Sequence, residues 1–332
     1  MSPLLTVDSL TITTRAGLNL VDQVSFSLAP GEMLGLVGES GSGKTLTCRA
    51  LLQLLPEGAL QITGGRVDFD GRDLLRLSPR EMRQLRGAGV GMIFQNPSTH
   101  INPLMTIGQQ MAESLRLRGR LSRKEIRARS VSLLEQVGIP SPEQRLDSHA
   151  HEFSGGMRQR AMIAIALACS PRVLIADEPT TALDVTVQAQ ILKLLDGLRR
   201  EHGLSIIMIT HDLGVVAQTC DRVAVLYGGR ICEIAATADL LKHPAHPYTR
   251  GLIACQPHAN VNAQGPLTTI AGAPPTAEEM PAGCRFHPRC PDAQRRCQTR
   301  QPVVHDVAQE SGHRVACHYP LQRLIHRELD HE

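Results

Sequence analysis

Eight residues constrain this chain more than any others: Gly38-Glu39-Ser40-Gly41-Ser42-Gly43-Lys44-Thr45, which fit the pattern G-x-x-x-x-G-K-[ST]. They follow the apolar run Met33-Leu34-Gly35-Leu36-Val37 and precede a helical pattern over residues 44–55, the strand–loop–helix context that the pattern requires. Glycines let successive backbone N–H groups converge on one phosphate, and the start of the following helix adds partial positive charge. Lys44 is then placed to reach the β- and γ-phosphates of a nucleotide, and the Thr45 hydroxyl to bind Mg²⁺. The chain has only four lysines, Lys44, Lys124, Lys193 and Lys242, so one standing at the required position in the required context weighs against an incidental Gly/Ser turn.

Two further apolar runs, Val173 to Ala176 and Leu204 to Ile209, have the length and β-branching of buried parallel strands. Helical patterns lie between the runs, which predicts an α/β core. In a parallel sheet the strand C-termini gather on one edge, where ligands bind. That edge receives Asp177 and Glu178 after one run and His211 after the other. Asp177 is the candidate Mg²⁺ ligand and Glu178 the candidate for polarising an attacking water. His211 is the candidate contact to the γ-phosphate or that water, the bland alternative being a structural histidine. Residues 3–36 alternate apolar and polar positions and predict short strands; residues 108–137 predict two charged helices, the second capped by Ser122. Residues 153–169 predict a helix with Ser154 as N-cap and Gly155-Gly156 in its first turn. Glycine is a poor helix former, but there it permits close approach of amides to an anion. With one phosphate loop already present, a second such helix start implies two chains sharing each nucleotide; the alternative is an ordinary capped helix.

Several classes are excluded. The longest apolar stretches, such as 161–169, fall far short of the roughly 20 residues that span a bilayer. The start MSPLLTVDSL lacks a basic flank and a cleavable apolar run, so no signal peptide is expected and any membrane role is peripheral. A net charge of +3, no Trp, three Tyr and five Phe argue against a nucleic-acid partner.

At this point the sequence resembles the ATP-binding subunits of ABC transporters over essentially its whole length. Val173 to Glu178 is similar to the family's Walker B element, and Phe153-Ser154-Gly155-Gly156-Met157 to its signature motif, which binds the ATP of the partner subunit. Phe94-Gln95-Asn96-Pro97 resembles the Q-loop, with Gln95 as a metal or water ligand; Pro179 to Asp184 resembles the D-loop, and His211 the switch histidine. The resemblance implies an ABC ATPase fold: a RecA-like core, an N-terminal β subdomain and a helical subdomain at about 97–157, within an ATP-binding domain over 1–255. A linker and a small Cys-rich extension would occupy 256–332.

Finer strings, among them HEFSGGMRQR and His243 to Arg250 (HPAHPYTR), resemble the oligopeptide/dipeptide/nickel importers, and IADEPTTALDVTVQAQIL resembles their "D" type ATPase. The resemblance implies ATP hydrolysis powering uptake of di- or oligopeptides, with nickel, glutathione or opines as alternative cargo. It implies a second ATPase subunit (a heterodimer rather than a homodimer), two transmembrane permeases, an extracytoplasmic solute-binding protein, and a place on the cytoplasmic face of the inner membrane. A soluble ABC ATPase unconnected with transport is a more distant alternative. One departure stands out: the segment that supplies an adenine-stacking aromatic in the family reads Leu10 to Ala16, with no aromatic, which leaves Arg15 as a candidate stacking group.

Nine cysteines divide unevenly. Cys48, Cys169, Cys220, Cys232 and Cys255 are scattered and predict small buried hydrophobes, while Cys284, Cys290, Cys297 and Cys317 crowd the tail. Four thiolates suit Zn²⁺ or an iron–sulfur cluster, or remain free or disulfide-linked, and the two-residue gaps of zinc ribbons are missing. Gly283 to Pro291 resembles the C-terminal extension of peptide-importer ATPases, which implies a [4Fe–4S] cluster, with Arg285, Arg289, Arg295 and Arg296 offsetting its charge. His287, His313 and His318 are expected at the surface, the alternative being that one of them is a ligand.

Overall fold

The computed structural model describes residues 2–117, 119–181, 183–256, 269–307 and 312–321. The alternating N-terminal segment forms two ten-residue strands, β1 (Leu5–Thr14) and β2 (Asn19–Leu28), and the apolar run after it is β3 (Met33–Val37), leading into α1 (Lys44–Leu51). Then come β4 (Leu60–Phe69), β5 (Arg72–Asp73) and α2 (Pro79–Leu85), the last closed by a capping box between Ser78 and Glu81. After β6 (Val90–Ile93) the chain is helical: α3 (Pro97–His100), α4 (Ile107–Arg116), α5 (Arg123–Gln136), α6 (Pro142–Arg145) and α7 (Gly155–Leu167). The α/β alternation resumes with β7 (Val173–Asp177), α8 (Val185–His202), β8 (Ser205–Thr210), α9 (Leu213–Thr219), β9 (Arg222–Tyr227) and β10 (Arg230–Ala236). Last are α10 (Thr237–Lys242), α11 (Pro247–Ala254), α12 (Arg295–Thr299), β11 (His305–Asp306) and β12 (Arg314–Val315).

Two sheets result. β2-β1-β4-β5 is antiparallel, and the larger sheet runs β11-β12-β10-β9-β3-β8-β7-β6. Its segment β9-β3-β8-β7-β6 is parallel, which puts the C-terminal ends of β3, β7 and β8 on one edge. Every residue of β3, β7 and β8 is buried, as expected for strands covered on both faces. Period two divides them between two cores. Leu34, Leu36, Val173, Ile175, Ile207 and Ile209 meet β1, β2 and β4 in one. Met33, Val37, Leu174, Ala176, Ile206 and Met208 meet α7, α8 and α9 in the other. Hydrophobic burial on both faces fixes the strand register, because a one-residue slip would exchange the two sets.

The two charged helices are α4 and α5. Ser122 does cap α5, with its hydroxyl accepting from Glu125 N and the Glu125 carboxylate accepting from Ser122 N at 2.8 Å. Ile126, Ser130 and Leu134 share its buried face at four-residue spacing. Of the linker expected at the start of 256–332, residues 257–268 lie outside the described residues, and residues 269–283 carry no helix or strand.

The tail is tied to the main sheet. β12 pairs with β10 through Glu233–Val315 and Ile234–Arg314, and β11 pairs with β12. His313, expected at the surface, is 1% exposed: its Nε2 lies 2.6 Å from the fully buried Glu233 carboxylate, which also accepts from Ala245 N and His246 N. A buried carboxylate needs such partners, and the histidine supplies one at the point where the tail joins the sheet. His287 and His318 are half-buried.

Candidate nucleotide site

The loop between β3 and α1 requires glycine where the backbone turns sharply. Gly38 has φ +154, and a Cβ there would lie 2.1 Å from Leu226 O; Gly43 has φ +96 and precedes the first helical residue. No side chain caps α1, so its first N–H groups lack side-chain partners at the loop. Lys44, 5% exposed, folds over the loop and donates from Nζ to Gly38 O at 2.7 Å, Glu39 O at 2.9 Å and Ser42 Oγ at 3.3 Å. Burial lowers its pKa, with Glu178, Asp177 and Glu39 pulling the other way.

Asp177 ends β7 and is 1% exposed. Thr45 Oγ1 donates to its Oδ1 at 2.9 Å, while Oδ2 is a buried oxygen with no hydrogen-bond partner. Burial pushes the Asp177 carboxyl up, partly opposed by the Thr45 hydrogen bond and by Arg49. A buried, partnerless carboxylate oxygen beside a hydroxyl is a hard-oxygen donor set that fits Mg²⁺. Glu178 follows in the left-handed region at φ 45, a conformation costly for a non-glycine side chain, and its N–H donates to Ile209 O at 3.0 Å. Three side chains converge on its carboxylate: Gln95 Nε2 and Thr181 Oγ1 donate to Oε2, each at 2.8 Å, and His211 Nδ1 lies 3.4 Å from Oε1. Burial alone would raise the Glu178 carboxyl, but the hydrogen bonds from Thr181, His211 and Gln95 and the His211 charge outweigh it and hold the group below the usual range. The two adjacent carboxylates are thus shifted in opposite directions by their surroundings.

Gly38, Glu39, Ser40, Gln95, Glu178 and His211 line one cleft of about 870 Å³, a volume that suits a small organic ligand. Gln95 is turned to Glu178, its Nε2 donating to that carboxylate. Gly41 to Thr45 and Asp177 are not among the described residues that line the cleft, nor are Ser154, Gly155, Gly156, Met157 and Asp184. Ser154 instead caps α7, its exposed hydroxyl accepting from Met157 N at 3.3 Å, and Asp184 caps α8, accepting from Val187 N at 2.9 Å. Arg15 is exposed in the β1–β2 turn with its guanidinium against Gly58.

Several participants were not read from the sequence. Thr181 on Glu178 was inside a noted motif but given no role. The tail contributes Thr269, Ile270, Gly272, Pro274 and Arg289 to the same cleft. Arg289 donates to both Glu39 carboxylate oxygens, at 2.6 and 3.0 Å, and Arg285 pairs with Asp22. Both guanidiniums thus pair with nearby carboxylates, partners the sequence did not indicate. No signal in one sequence links positions 250 apart.

In the tail, Cys284, Cys290, Cys297 and Cys317 line one small cavity with room for about one water. All four are free thiols, and burial raises Cys284, Cys290 and Cys317, the last to about 11. Four soft donors at one cavity suit a thiophilic metal, but among the described residues no three His, Cys, Asp or Glu side chains stand in an arrangement that holds a metal ion. Of the remaining cysteines, Cys48, Cys169, Cys220 and Cys232 are buried and Cys255 is half-buried.

The profile of the ABC transporter family matches residues 21–181, and that of the oligopeptide/dipeptide transporter C-terminal region matches 232–297. The dipeptide transport ATP-binding protein DppD of Bacillus subtilis is 46% identical over 332 residues, 99% of this chain and 98% of that protein. The oligopeptide transport ATP-binding protein OppD of Salmonella typhimurium is 46% identical, covering 94% and 92%. A probable peptide ABC transporter ATP-binding protein, y4tR of Sinorhizobium fredii, is 50% identical, covering 89% and 87%. Among solved structures, cbiO1 of Clostridium perfringens, part of the ABC transporter complex cbiONQ, superposes with TM-score 0.64 at 28% identity over 72% of this chain and 91% of that one. The cassette MJ0796, in a dimeric post-hydrolysis state bound to ADP and Pi, superposes with TM-score 0.63 at 27% identity, covering 70% and 98%. The chain belongs to the ABC transporter family, as an ATP-binding subunit of the oligopeptide/dipeptide transporter type.

Proposed function

We propose that this chain is the ATP-hydrolysing motor of an importer for di- or oligopeptides, working at the cytoplasmic face of the membrane. The observation that carries the reading is the convergence of Gln95, Thr181 and His211 on an ionised Glu178 at the edge where the phosphate loop also opens. Lys44 would leave its loop carbonyls for the β- and γ-phosphates of ATP. Thr45, Asp177 and Gln95 would hold Mg²⁺, which neutralises phosphate charge when bound. Glu178 would accept a proton from the attacking water, with Gln95 and His211 orienting the carboxylate and the water between them.

Ser154, Gly155, Gly156 and Met157 would bind the ATP held by a second subunit, and Asp184 would lie between the two. The exposure of Ser154 and Gly155 at the start of α7 supports that reading. The partner would be a distinct ATPase, with two permeases and a solute-binding protein completing the importer. The division into an ATP-binding domain over 1–255, with a helical subdomain at about 97–157, and an extension over 256–332 belongs to this proposal. So does a [4Fe–4S] cluster, or Zn²⁺, on Cys284, Cys290, Cys297 and Cys317. Its support is that all four thiols face one cavity.

No helix of the described residues is long and apolar enough to cross a membrane, so attachment would be through the permeases. Tagged protein isolated anaerobically from detergent-solubilised membranes should bring down two permeases and a second ATPase. Recovery of the chain alone would contradict the transport reading while leaving its ATPase chemistry in place.

A further inference from the structure

Glu39, the second residue of the phosphate loop, is held from outside the loop at two points. Its backbone N–H donates to the Tyr248 hydroxyl at 2.9 Å, and its carboxylate takes both ends of the Arg289 guanidinium, at 2.6 and 3.0 Å. The Arg289 side chain is only 6% exposed. Its Nε donates to Ala271 O at 2.9 Å, and its guanidinium stands 5.7 Å from the centre of the Tyr227 ring. A bidentate, partly buried pair of this kind fixes geometry as well as charge. Without the guanidinium, an unpaired carboxylate would stand in the loop that receives a polyphosphate, and like charges at such range repel.

Arg289 is carried on one short turn, His287–Arg289, bounded on both sides by cavity cysteines. His287 N donates to Cys284 O at 3.0 Å, Cys290 N to His287 O at 3.3 Å, and Cys284 N to Cys297 O at 2.8 Å. Phe286, next to the turn, packs edge-on to Tyr227 and tilted to Tyr248, the same residue that holds Glu39 N. A shift of the thiols is therefore a shift of the guanidinium and of the aromatic support beneath the loop.

We propose that Arg289 is a positioning residue for the phosphate loop, coupling the four-cysteine cavity to the nucleotide pocket through Glu39. The inference rests on the reading of residues 38–45 as the ATP site. Binding of a non-hydrolysable ATP analogue with Mg²⁺ to the full chain, measured by calorimetry, tests it. Arg289→Gln should weaken binding about tenfold, or about 1.4 kcal/mol. The Glu39→Gln/Arg289→Gln double variant should recover most of that loss, which a merely structural role of Arg289 would not allow. Cys290→Ser should weaken binding several-fold in the otherwise unsubstituted chain and have no further effect in the double variant. Should Arg289→Gln not fold, Arg289→Lys keeps the charge but not the fork and should weaken binding about threefold.

Unchanged affinity in the Arg289 variants, a double variant no better than the single, or a Cys290→Ser effect undiminished in the double variant would each overturn the proposal. Failure of the unsubstituted chain to bind the analogue would instead overturn the reading of residues 38–45, and the inference with it.

Discussion

Asp177 and Glu178 are neighbours in sequence with opposite electrostatic settings. Burial raises Asp177, whose second oxygen has no partner, whereas hydrogen bonds and the His211 charge lower Glu178. A bound cation would give the Asp177 oxygen that lacks a hydrogen-bond partner a ligand role. Asp177→Asn is therefore expected to lower Mg²⁺-dependent ATP affinity by about tenfold to a hundredfold, the usual range for metal-site substitutions, with Mg²⁺-free nucleotide binding much less affected. Equal losses with and without Mg²⁺ in a binding titration would contradict its role as a metal ligand. The placement of Asp177, Glu178 and His211 at strand ends is legible from the apolar runs before them, whereas Gln95 is marked only by the family resemblance. The pairing of Arg289 with Glu39 is not legible in the sequence, because only the docking of the tail brings the two together.

Elements were legible where burial imposes a pattern. β3, β7 and β8 are uninterrupted apolar runs because both faces are covered, and α5 announces itself through Ser122 and Glu125. β12 has two residues, too few to carry any period, and its place beside β10 comes from tertiary pairing alone. His313 was misplaced for the same reason, since its burial depends on that pairing. The tail-facing end of the sheet also contains a titration that stability should report. His246 caps α11, its Nδ1 accepting from Tyr248 N at 3.0 Å, and burial lowers its pKa from 6.5 to about 4 despite the opposing charge of Glu233. The unfolded chain takes up a proton near pH 6.5 and the folded chain only near 4, so stability from this group is complete above 6.5 and lost as pH falls through that window. His246→Asn keeps a capping acceptor and removes the titration. Its melting temperature should fall less between pH 6.5 and 4 than that of the unsubstituted chain; parallel curves would contradict the assignment.

At the scale of the whole molecule, one parallel sheet edge collects the phosphate loop, Asp177, Glu178 and His211, while α3 to α7 lead from Gln95 to the Ser154 helix start, and the tail closes over the loop from the other side. In the proposed reading this edge receives the phosphates of one ATP, the exposed glycine-rich start of α7 serves the ATP of a second subunit, and hydrolysis at Glu178 permits separation of the two halves. The most direct test is to measure ATP binding and hydrolysis side by side in the assembled importer with Glu178 and with Glu178→Gln. The account predicts that the variant still binds ATP while its turnover falls by about a hundredfold to ten-thousandfold, the usual contribution of a general base. Hydrolysis at the full rate by Glu178→Gln would contradict it.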